Sequence, residues 1–519
     1  MGTGCKTGPD YARPDVDIPT EWASPREGGA VDQSTDLSQW WTLLNDPVLT
    51  ELIGKTLENN LEIRTAEARV REARAARRIA GSALWPTLNA AASWTERQVV
   101  EPDQQAAPPI SFGLSTSPNG ISRSLTTRRG DLSTTTTITG QDSATSYNYT
   151  PGSTPEKFDR TSGLYQAGFD ASWEIDVFGG NRRATEAASA VIEAEIERRR
   201  DVQVTMAAEV ALNYIELRST QRRLEITEKN VQAQAKTVQL TQARFDAGLT
   251  SELDVTQARA QLAATQSQLP VLHTQIESSI HRLGVLAGEV PGSFRDTLYP
   301  SLPIPVTPAE IPVGLPSELL LRRPDIRTAE RELAAATARI GAAKADLFPK
   351  FYLTGAFAGQ SPSLGNVWST SNQLWSVGPS IHWPIFQGGR ILANVEVQDA
   401  RQEQALIAYE RTILFALEDV ENSLVSFAQQ QIRRRSLEEA VKANEKAVQL
   451  ANERYVRGLE GFLNVLQAQL QLFLSEDQLV QSESFVLTDL IALYKALGGG
   501  WDTPSPETET SVNLTAQEN

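Results

Sequence analysis

Two segments of about seventy residues lack both glycine and proline, and they constrain the fold of this chain more than any other feature. They run over residues 181–247 and 390–457, and both are rich in Ala, Glu, Gln, Arg and Leu. These residues are strong helix formers, whereas glycine and proline interrupt helices. Each segment therefore predicts one continuous helix of roughly 100 Å, several times longer than an average globular helix.

A helix of this length needs partners along its whole side, and the second segment carries an apolar stripe that would recruit them. The stripe repeats at intervals of three, four and seven residues, which is typical of a coiled-coil seam. We therefore expect the long helices to close laterally into a tube. The stripe comprises Leu406, Ile413, Leu417, Val420, Leu424 and Phe427.

Each long segment ends at a glycine, and the sequences around the two breaks match. Residues 244–258 read RFDAGLTSELDVTQA, and residues 454–468, at an offset of 210, read RYVRGLEGFLNVLQA. Glycine after the end of a helix favours the left-handed conformation that stops the helix. The breaks therefore predict two tight hairpin tips, centred on Gly248 and Gly458, in a chain built as a tandem repeat.

A second set of matches has an offset of 263 residues and locates an insertion in the first copy. Residues 63–67 and 326–330 share the letters IRTAE. The two offsets differ by 53 residues, and the excess falls within residues 97–160, which are rich in Ser, Thr, Gly and Pro. This composition predicts a long polar loop.

Apolar and polar residues alternate on both sides of the loops, and this alternation predicts β-strands. The strands are expected at about 84–96 and 162–178 in the first copy, and at about 347–359 and 373–387 in the second. Strands of about ten residues with Trp and Tyr at their ends suit a membrane-spanning barrel. A soluble sandwich with one buried face explains the same alternation, so both hypotheses stay open.

Four strands from one chain are too few to close a membrane barrel, and an open sheet in lipid would leave unpaired edges. Several chains are therefore expected to share one barrel, with eight strands from two chains or twelve from three. The polar face that holds Asp170, Glu174 and Asp176 would then line an acidic lumen.

Composition excludes several classes of function. The formal net charge of -16 argues against nucleic acid as a partner. Three His and one Cys leave little material for a metal site or a catalytic nucleophile, so neither an enzyme nor a cofactor is expected. No run of eighteen apolar residues offers a transmembrane helix.

The single cysteine, Cys5, follows a small residue near the start of the chain. A small residue followed by Cys is typical of the end of a bacterial lipoprotein signal, and it predicts a lipid on this side chain. The apolar segment that belongs to such a signal does not stand in the residues before Cys5. An incidental free thiol is the alternative.

Several longer motifs resemble the TolC-like outer membrane factors, in the lipoprotein branch that serves resistance-nodulation-division (RND) efflux pumps. The resemblance covers nearly the whole chain, from Cys5 to about Trp501. The motifs are GLPSELLLRRPDI at 314–326, DLFP at 346–349, WEIDVFG at 173–179 and YKALGGGW at 494–501.

This resemblance implies an α+β membrane protein built as a tandem repeat. Each copy would give two β-strands to a trimeric twelve-stranded β-barrel and its long helices to a twelve-helix periplasmic α-barrel, with a mixed equatorial domain. The implied domains are a lipid-anchored extended segment over 1–36, a first repeat over 37–289 with an extracellular loop over 97–160, an equatorial linker over 290–321, a second repeat over 322–501 and a disordered tail over 502–519.

The implied function is that of an outer-membrane channel subunit of a tripartite efflux pump. The channel would be a passive exit for drugs or other small molecules across the periplasm and the outer membrane. Its implied partners are further copies in a homotrimer, a periplasmic adaptor, an inner-membrane RND-type pump and outer-membrane lipid. A duct for type I protein secretion and a periplasmic adaptor protein are the alternative hypotheses.

The resemblance also implies a periplasmic gate just inside the tips. Arg454 and Tyr455 match residues that lock the gate by holding a carboxylate on the neighbouring helix pair, here Asp254. Charge-assisted hydrogen bonds of this kind would stabilise a closed state. A plain helix-end contact, which favours a cation in the last turn, is the alternative for Arg454 and Tyr455.

Four more residues complete the implied gate, and the tips around them are expected to contact the adaptor. Leu459 and Leu463 match an apolar constriction. Asn464 and Gln467 stand where many members of the family have acidic rings, so weak block by cations is expected. The residues expected to contact the adaptor are Gly248, Leu249, Thr250, Gly458 and Leu459.

Overall fold

The chain divides into two compact units, one made of helices and one made of strands. In the described residues, no helix combines the length and the apolar character needed to cross a membrane. The computed structural model describes residues 6–23, 30–31, 36–98, 110–117, 120–129, 132–139, 142–149, 161–308 and 311–501. Cys5 and the predicted tail over 502–519 lie outside these described residues. The helical unit comprises residues 1–84, 176–350 and 383–519, and the strand unit comprises residues 85–175 and 351–382.

Two helices of 67 residues each confirm the prediction from the segments without glycine or proline. Most of the predicted stripe is buried, and Leu406 and Leu417 are partly buried. The α-helices of the described residues are α1 Pro47–Asn59, α2 Leu61–Ser82, α3 Gly180–Asp246, α4 Glu252–Gln266, α5 Gln268–Leu286, α6 Arg295–Leu298, α7 Leu319–Arg322, α8 Pro324–Ala345, α9 Arg390–Val456 and α10 Phe462–Ala496.

The main core of the helical unit lies where α3 and α10 meet the residues before α1. Trp40 is buried and stacks on Tyr494 with ring centroids 5.4 Å apart. Burial raises the pKa of the Tyr494 hydroxyl to about 12. The buried Arg218 of α3 donates hydrogen bonds to the carbonyls of Leu298, at 3.2 Å, and Pro300, at 2.9 Å. These bonds fix the connection after α6 against the middle of α3.

Residues 6–13, which we call the N-terminal strap, contact α3 and α8, and a buried side chain of α3 binds their backbone. The guanidinium of Arg183 is 1% exposed. It donates to the carbonyls of Thr7, at 3.0 Å, and Gly8, at 3.3 Å, and to the carboxylate of Asp10, at 2.7 Å. Its Nη1 also donates to the carboxylate of Glu186, within α3, at 3.1 Å. A buried cation without acceptors would be strongly destabilising, so the acceptors on the strap stabilise the buried position of Arg183.

The strap crosses α8 at a contact between two glycines. Gly8 has a φ of +85°, and a Cβ there would lie 2.4 Å from the Cα of Gly341. A Cβ on Gly341 would in turn lie 2.7 Å from the carbonyl oxygen of Thr7. Both distances are too short for any side chain, so glycine is required on both sides of the crossing.

The strand unit contains an antiparallel sheet with the order β10-β9-β7-β2 and a second sheet with the order β3-β4-β5-β6. In the first sheet β2 and β7 pair from Thr87 with Ser172 to Gln98 with Thr161. The strands among the described residues are β1 Ala30–Val31, β2 Thr87–Gln98, β3 Ile110–Ser117, β4 Gly120–Arg129, β5 Leu132–Thr139, β6 Asp142–Tyr149, β7 Thr161–Ile175, β8 Ile311–Pro312, β9 Lys350–Ser361 and β10 Gln373–His382.

Three strand ends near prolines differ from the positions that the alternation predicts. The first strand starts after Pro86 and not at 84, and the third starts after Pro349 and not at 347. The fourth ends at His382, before Pro384, although the alternation continues to 387. Proline has no backbone N–H to donate to a neighbouring strand, which explains the starts after Pro86 and Pro349. β10 contains Pro379 and lies at the edge of the sheet, where a proline is tolerated.

The long polar loop predicted over 97–160 contains regular strands in its described part. It holds β3 to β6, each paired antiparallel with the next. The four threonines at 134–137 fall inside β5. Threonine is β-branched and favours extended backbone, so a composition that reads as loop also suits strands.

The part of the chain that the structure describes covers neither face of the first sheet. In the four described strands of this sheet, the buried residues are Gly359 and Ser361, and both lie at one end of β9. Large apolar side chains such as Trp94, Phe169 and Trp375 are exposed. A soluble sandwich buries one face of each sheet, so the single chain does not support that alternative.

Candidate functional site at the hairpin tips

Both hairpin tips stop their helix in the same way. Gly248 and Gly458 have φ values of +70° and +73°, in the left-handed region. The backbone N–H of Leu249 donates to the carbonyl of Arg244 at 2.8 Å, and that of Leu459 donates to the carbonyl of Arg454 at 2.9 Å. This bonding pattern is the Schellman motif, which closes a helix end at glycine. The predicted tips are therefore two copies of one backbone structure.

Tyr455 is the centre of a small hydrophobic cluster at the tips. Its side chain is 4% exposed, and its ring lies 5.6 Å from that of Phe462. Ala258, Ala451 and Val465 complete the buried part of the cluster. The hydroxyl of Tyr455 is buried and makes no hydrogen bond within the described residues. The ring, and not the hydroxyl, holds this side chain in place.

Arg244 joins the tip of the first copy to the tip of the second. Its guanidinium carbon lies 4.7 Å from the ring centroid of Tyr455. Its Nη1 donates a hydrogen bond of 3.3 Å to the carbonyl of Val456. A guanidinium over an aromatic face is attracted by the ring quadrupole. The two tips of one chain are thus linked through the end of α9.

The structure does not bring Arg454 and Tyr455 to Asp254 within the described part of one chain. The half-buried carboxylate of Asp254 accepts a hydrogen bond from the hydroxyl of Thr250 in its own tip. The Nε of Arg454 lies 3.4 Å from a carboxylate oxygen of Glu460, also in its own tip. The predicted lock is therefore not an intrachain contact here, and a contact with another copy stays a prediction.

The remaining predicted residues lie on the outside of the tips. Leu249, Leu459 and Leu463 are large apolar side chains and are exposed. Asn464 and Gln467 are also exposed, on the first turns of α10. Apolar side chains concentrated at a protein end are typical of a surface that contacts another protein.

Sequence reasoning missed the structural role of Arg244, Phe462 and Glu460. The sequence held a signal for Arg244, because the offset of 210 makes it the counterpart of Arg454.

No cluster of His, Cys, Asp and Glu suited to a metal ion occurs among the residues that the structure describes.

The fold is that of the TolC-like outer-membrane channels. The outer-membrane channel OprN has a TM-score of 0.78 and 33% sequence identity, over 96% of this chain and 100% of that one. The open state of the MtrE outer membrane channel of Neisseria gonorrhoeae has a TM-score of 0.74 and 26% identity, over 96% of this chain and 100% of that one.

The chain belongs to the outer membrane efflux protein family, whose model matches residues 52–289 and 315–499. It is 31% identical to the solvent efflux pump outer membrane protein SrpC of Pseudomonas putida, over 96% of each chain. It is also 31% identical to the pyoverdine export outer membrane protein OpmQ of Pseudomonas putida, over 94% of this chain and 93% of that one. The protein is an outer-membrane channel subunit of an efflux pump, in a family of transport channels and not of enzymes.

Proposed function

We propose that three copies of this chain form one passive exit duct, in which their sheets close a twelve-stranded barrel and their long helices close a twelve-helix tunnel. The observation that carries the proposal is the four-stranded sheet, which has two unpaired edges and no covered face in one chain. Three such sheets supply twelve strands and leave no edge unpaired. Exposed apolar side chains on α9, among them Leu414 and Phe415, would be covered by helices of a neighbouring copy.

The cargo of the duct would be drugs or other small molecules. The family description and the names of the similar proteins support efflux of solvents and export of pyoverdine in those relatives. They favour small molecules over the protein cargo of a type I secretion duct. The family also favours a channel over a periplasmic adaptor protein.

The periplasmic end of the duct would hold the gate and the docking surface. Leu459 and Leu463 are exposed in one chain and would converge on the axis of a trimer as an apolar constriction. The tips around Gly248, Leu249, Thr250 and Gly458 would contact a periplasmic adaptor, which connects the duct to an inner-membrane RND-type pump. Opening would be a shift of population between a closed and an open arrangement of the tips.

We also propose that Cys5 carries a lipid that anchors the chain in the outer membrane. The small residue before Cys5 supports this modification. The strap that follows from Lys6 onward is fixed on α3 by Arg183, so an anchored end would be held close to the helical unit. Mass spectrometry of the N-terminal peptide from membranes tests the anchor, and an unmodified thiol would contradict it.

The assembly is tested with purified protein in detergent and in a planar lipid bilayer. We expect the mass of a trimer and discrete ion-conducting channels. Leu414→Glu, on the exposed apolar face of α9, should reduce the trimer fraction, because a charge would be buried between copies. Leu414→Met, which keeps an apolar side chain of similar volume at the same position, is the matched control and should leave the trimer intact. Protein that stays monomeric and conducts no current would overturn the proposal.

The amides at the gate predict weak block by divalent cations. Asn464 and Gln467 lack the fixed negative charge that attracts cations, and Gln467→Glu should restore it. We expect added Mg²⁺ or Ca²⁺ to reduce the conductance of this variant far more than that of the parent. Gln257→Glu, the corresponding position in the first tip, should respond less. Strong divalent block of the parent channel would contradict the prediction.

A further inference from the structure

The internal repeat relates a contact seen within the chain to one that a single chain cannot make. Arg244 and Phe245 occupy the positions in the first tip that Arg454 and Tyr455 occupy in the second. In the described contact, the arginine of the first tip covers the aromatic ring of the second tip and bonds the carbonyl of Val456. The equivalent contact would place Arg454 on a ring at position 245.

Within the described part of one chain, neither Phe245 nor Arg454 makes this contact. Phe245 is 37% exposed and takes part in no aromatic or cation contact among the described residues. The counterpart of Phe462, which packs on the ring of Tyr455, is Glu252 in the first tip. The ring of Phe245 therefore lacks the aromatic neighbour that Tyr455 has. The side chain of Arg454 is 56% exposed.

We propose that Arg454 of one copy stacks on Phe245 of the neighbouring copy and donates a hydrogen bond to the carbonyl of that copy's Asp246. The inference rests on the proposed assembly of several copies into one ring. Around the closed ring, contacts of Arg244 within a chain would then alternate with contacts of Arg454 between chains. The tips of all copies would form one continuous belt.

Glu460 orients Arg454 for this contact. Its carboxylate lies beside the Nε of Arg454, so the two terminal nitrogens and both faces of the guanidinium are left for another partner. The counterpart of Glu460 in the first tip is Thr250, and the Nε of Arg244 makes no hydrogen bond within the described residues. The second tip thus holds its arginine near the surface, whereas the first tip places its arginine against Tyr455.

Cysteine pairs and a short bismaleimide cross-linker test the contact in the assembled protein. Arg454→Cys combined with Phe245→Cys should give covalent dimers and trimers on a denaturing gel, and each single variant should give neither. Arg244→Cys combined with Tyr455→Cys is the matched control, because its cross-link lies within a chain and leaves the mass unchanged. The parent, with Cys5 as its one cysteine, sets the background.

Two outcomes separate this inference from the proposed function. Cross-linking of Arg454→Cys with Asp254→Cys, and not with Phe245→Cys, in a protein that is still a trimer, would overturn the Arg454–Phe245 contact and leave the duct standing. A protein that is monomeric by mass would overturn the duct itself.

As a functional readout, Arg454→Ala, Phe245→Ala and the double variant should raise single-channel conductance to the same extent, because each removes one shared contact.

Discussion

Replacing Tyr455 by alanine is expected to loosen the periplasmic tips and to raise the conductance of the channel. The change removes a ring that is 4% exposed, together with its contacts to Arg244 and Phe462. Truncation of a buried aromatic side chain to alanine typically costs about 3–5 kcal/mol. In the proposed gate this packing belongs to the closed arrangement of the tips, so we expect the open form to gain population. Single-channel recording in planar bilayers measures the shift.

Tyr455→Phe is the control for this prediction. The hydroxyl makes no hydrogen bond within the described residues, whereas the ring makes all the described contacts of the side chain. Tyr455→Phe should therefore keep the parental conductance. If it opened the channel as far as alanine does, a hydrogen bond from the hydroxyl, such as the one predicted with Asp254, would hold the gate, and the account based on ring packing would be wrong.

Gly341→Ala is expected to detach the N-terminal strap from α8. The new methyl group would stand 2.7 Å from the carbonyl oxygen of Thr7 and 2.9 Å from the side chain of Arg183. Both groups belong to the hydrogen-bond set that compensates the buried guanidinium. Arg183 keeps its ion pair with Glu186 of α3 when the strap detaches, so the loss should stay below the roughly 3–5 kcal/mol that an unpaired buried charge costs. We expect a lower temperature of unfolding and faster hydrogen exchange over residues 6–13.

Gly54→Ala on α1 is the matched control, since no atom lies within 4 Å of the Cβ position there. Alanine is favoured over glycine inside a helix by about 1 kcal/mol, so this variant should be as stable as the parent or more stable. Unchanged exchange of the strap in Gly341→Ala would show that the glycine crossing does not hold it.

The sequence predicts best the features that depend only on residues close together in the chain. The long helices follow from the absence of glycine and proline over residues 181–247 and 390–457, and the tips follow from Gly248 and Gly458. These are local properties of the chain. Strand positions were predicted to within a few residues, and Pro86 and Pro349 explain the later starts of the first and third strands.

The contacts at the tips could not be predicted in this way, because they join residues far apart in the chain. Arg244 reaches Tyr455 only when the two hairpins lie side by side. The prediction assigned the cation contact to Arg454, whose neighbour in the chain is Glu460. The two arginines occupy equivalent positions, so only the packed structure distinguishes their partners.

The pairing of Gln98 with Thr161 has a consequence for engineering of this protein. These residues are the last partners of the ladder between β2 and β7, so the ends of the inserted segment leave the sheet about 5 Å apart. Because the pairing of β2 with β7 continues to this point, the register of the two strands does not depend on the inserted segment. Lengthening a loop whose two ends are already held together costs little additional free energy. Foreign peptide epitopes grafted between these two residues would therefore be displayed from a fixed base while the channel scaffold keeps its own fold.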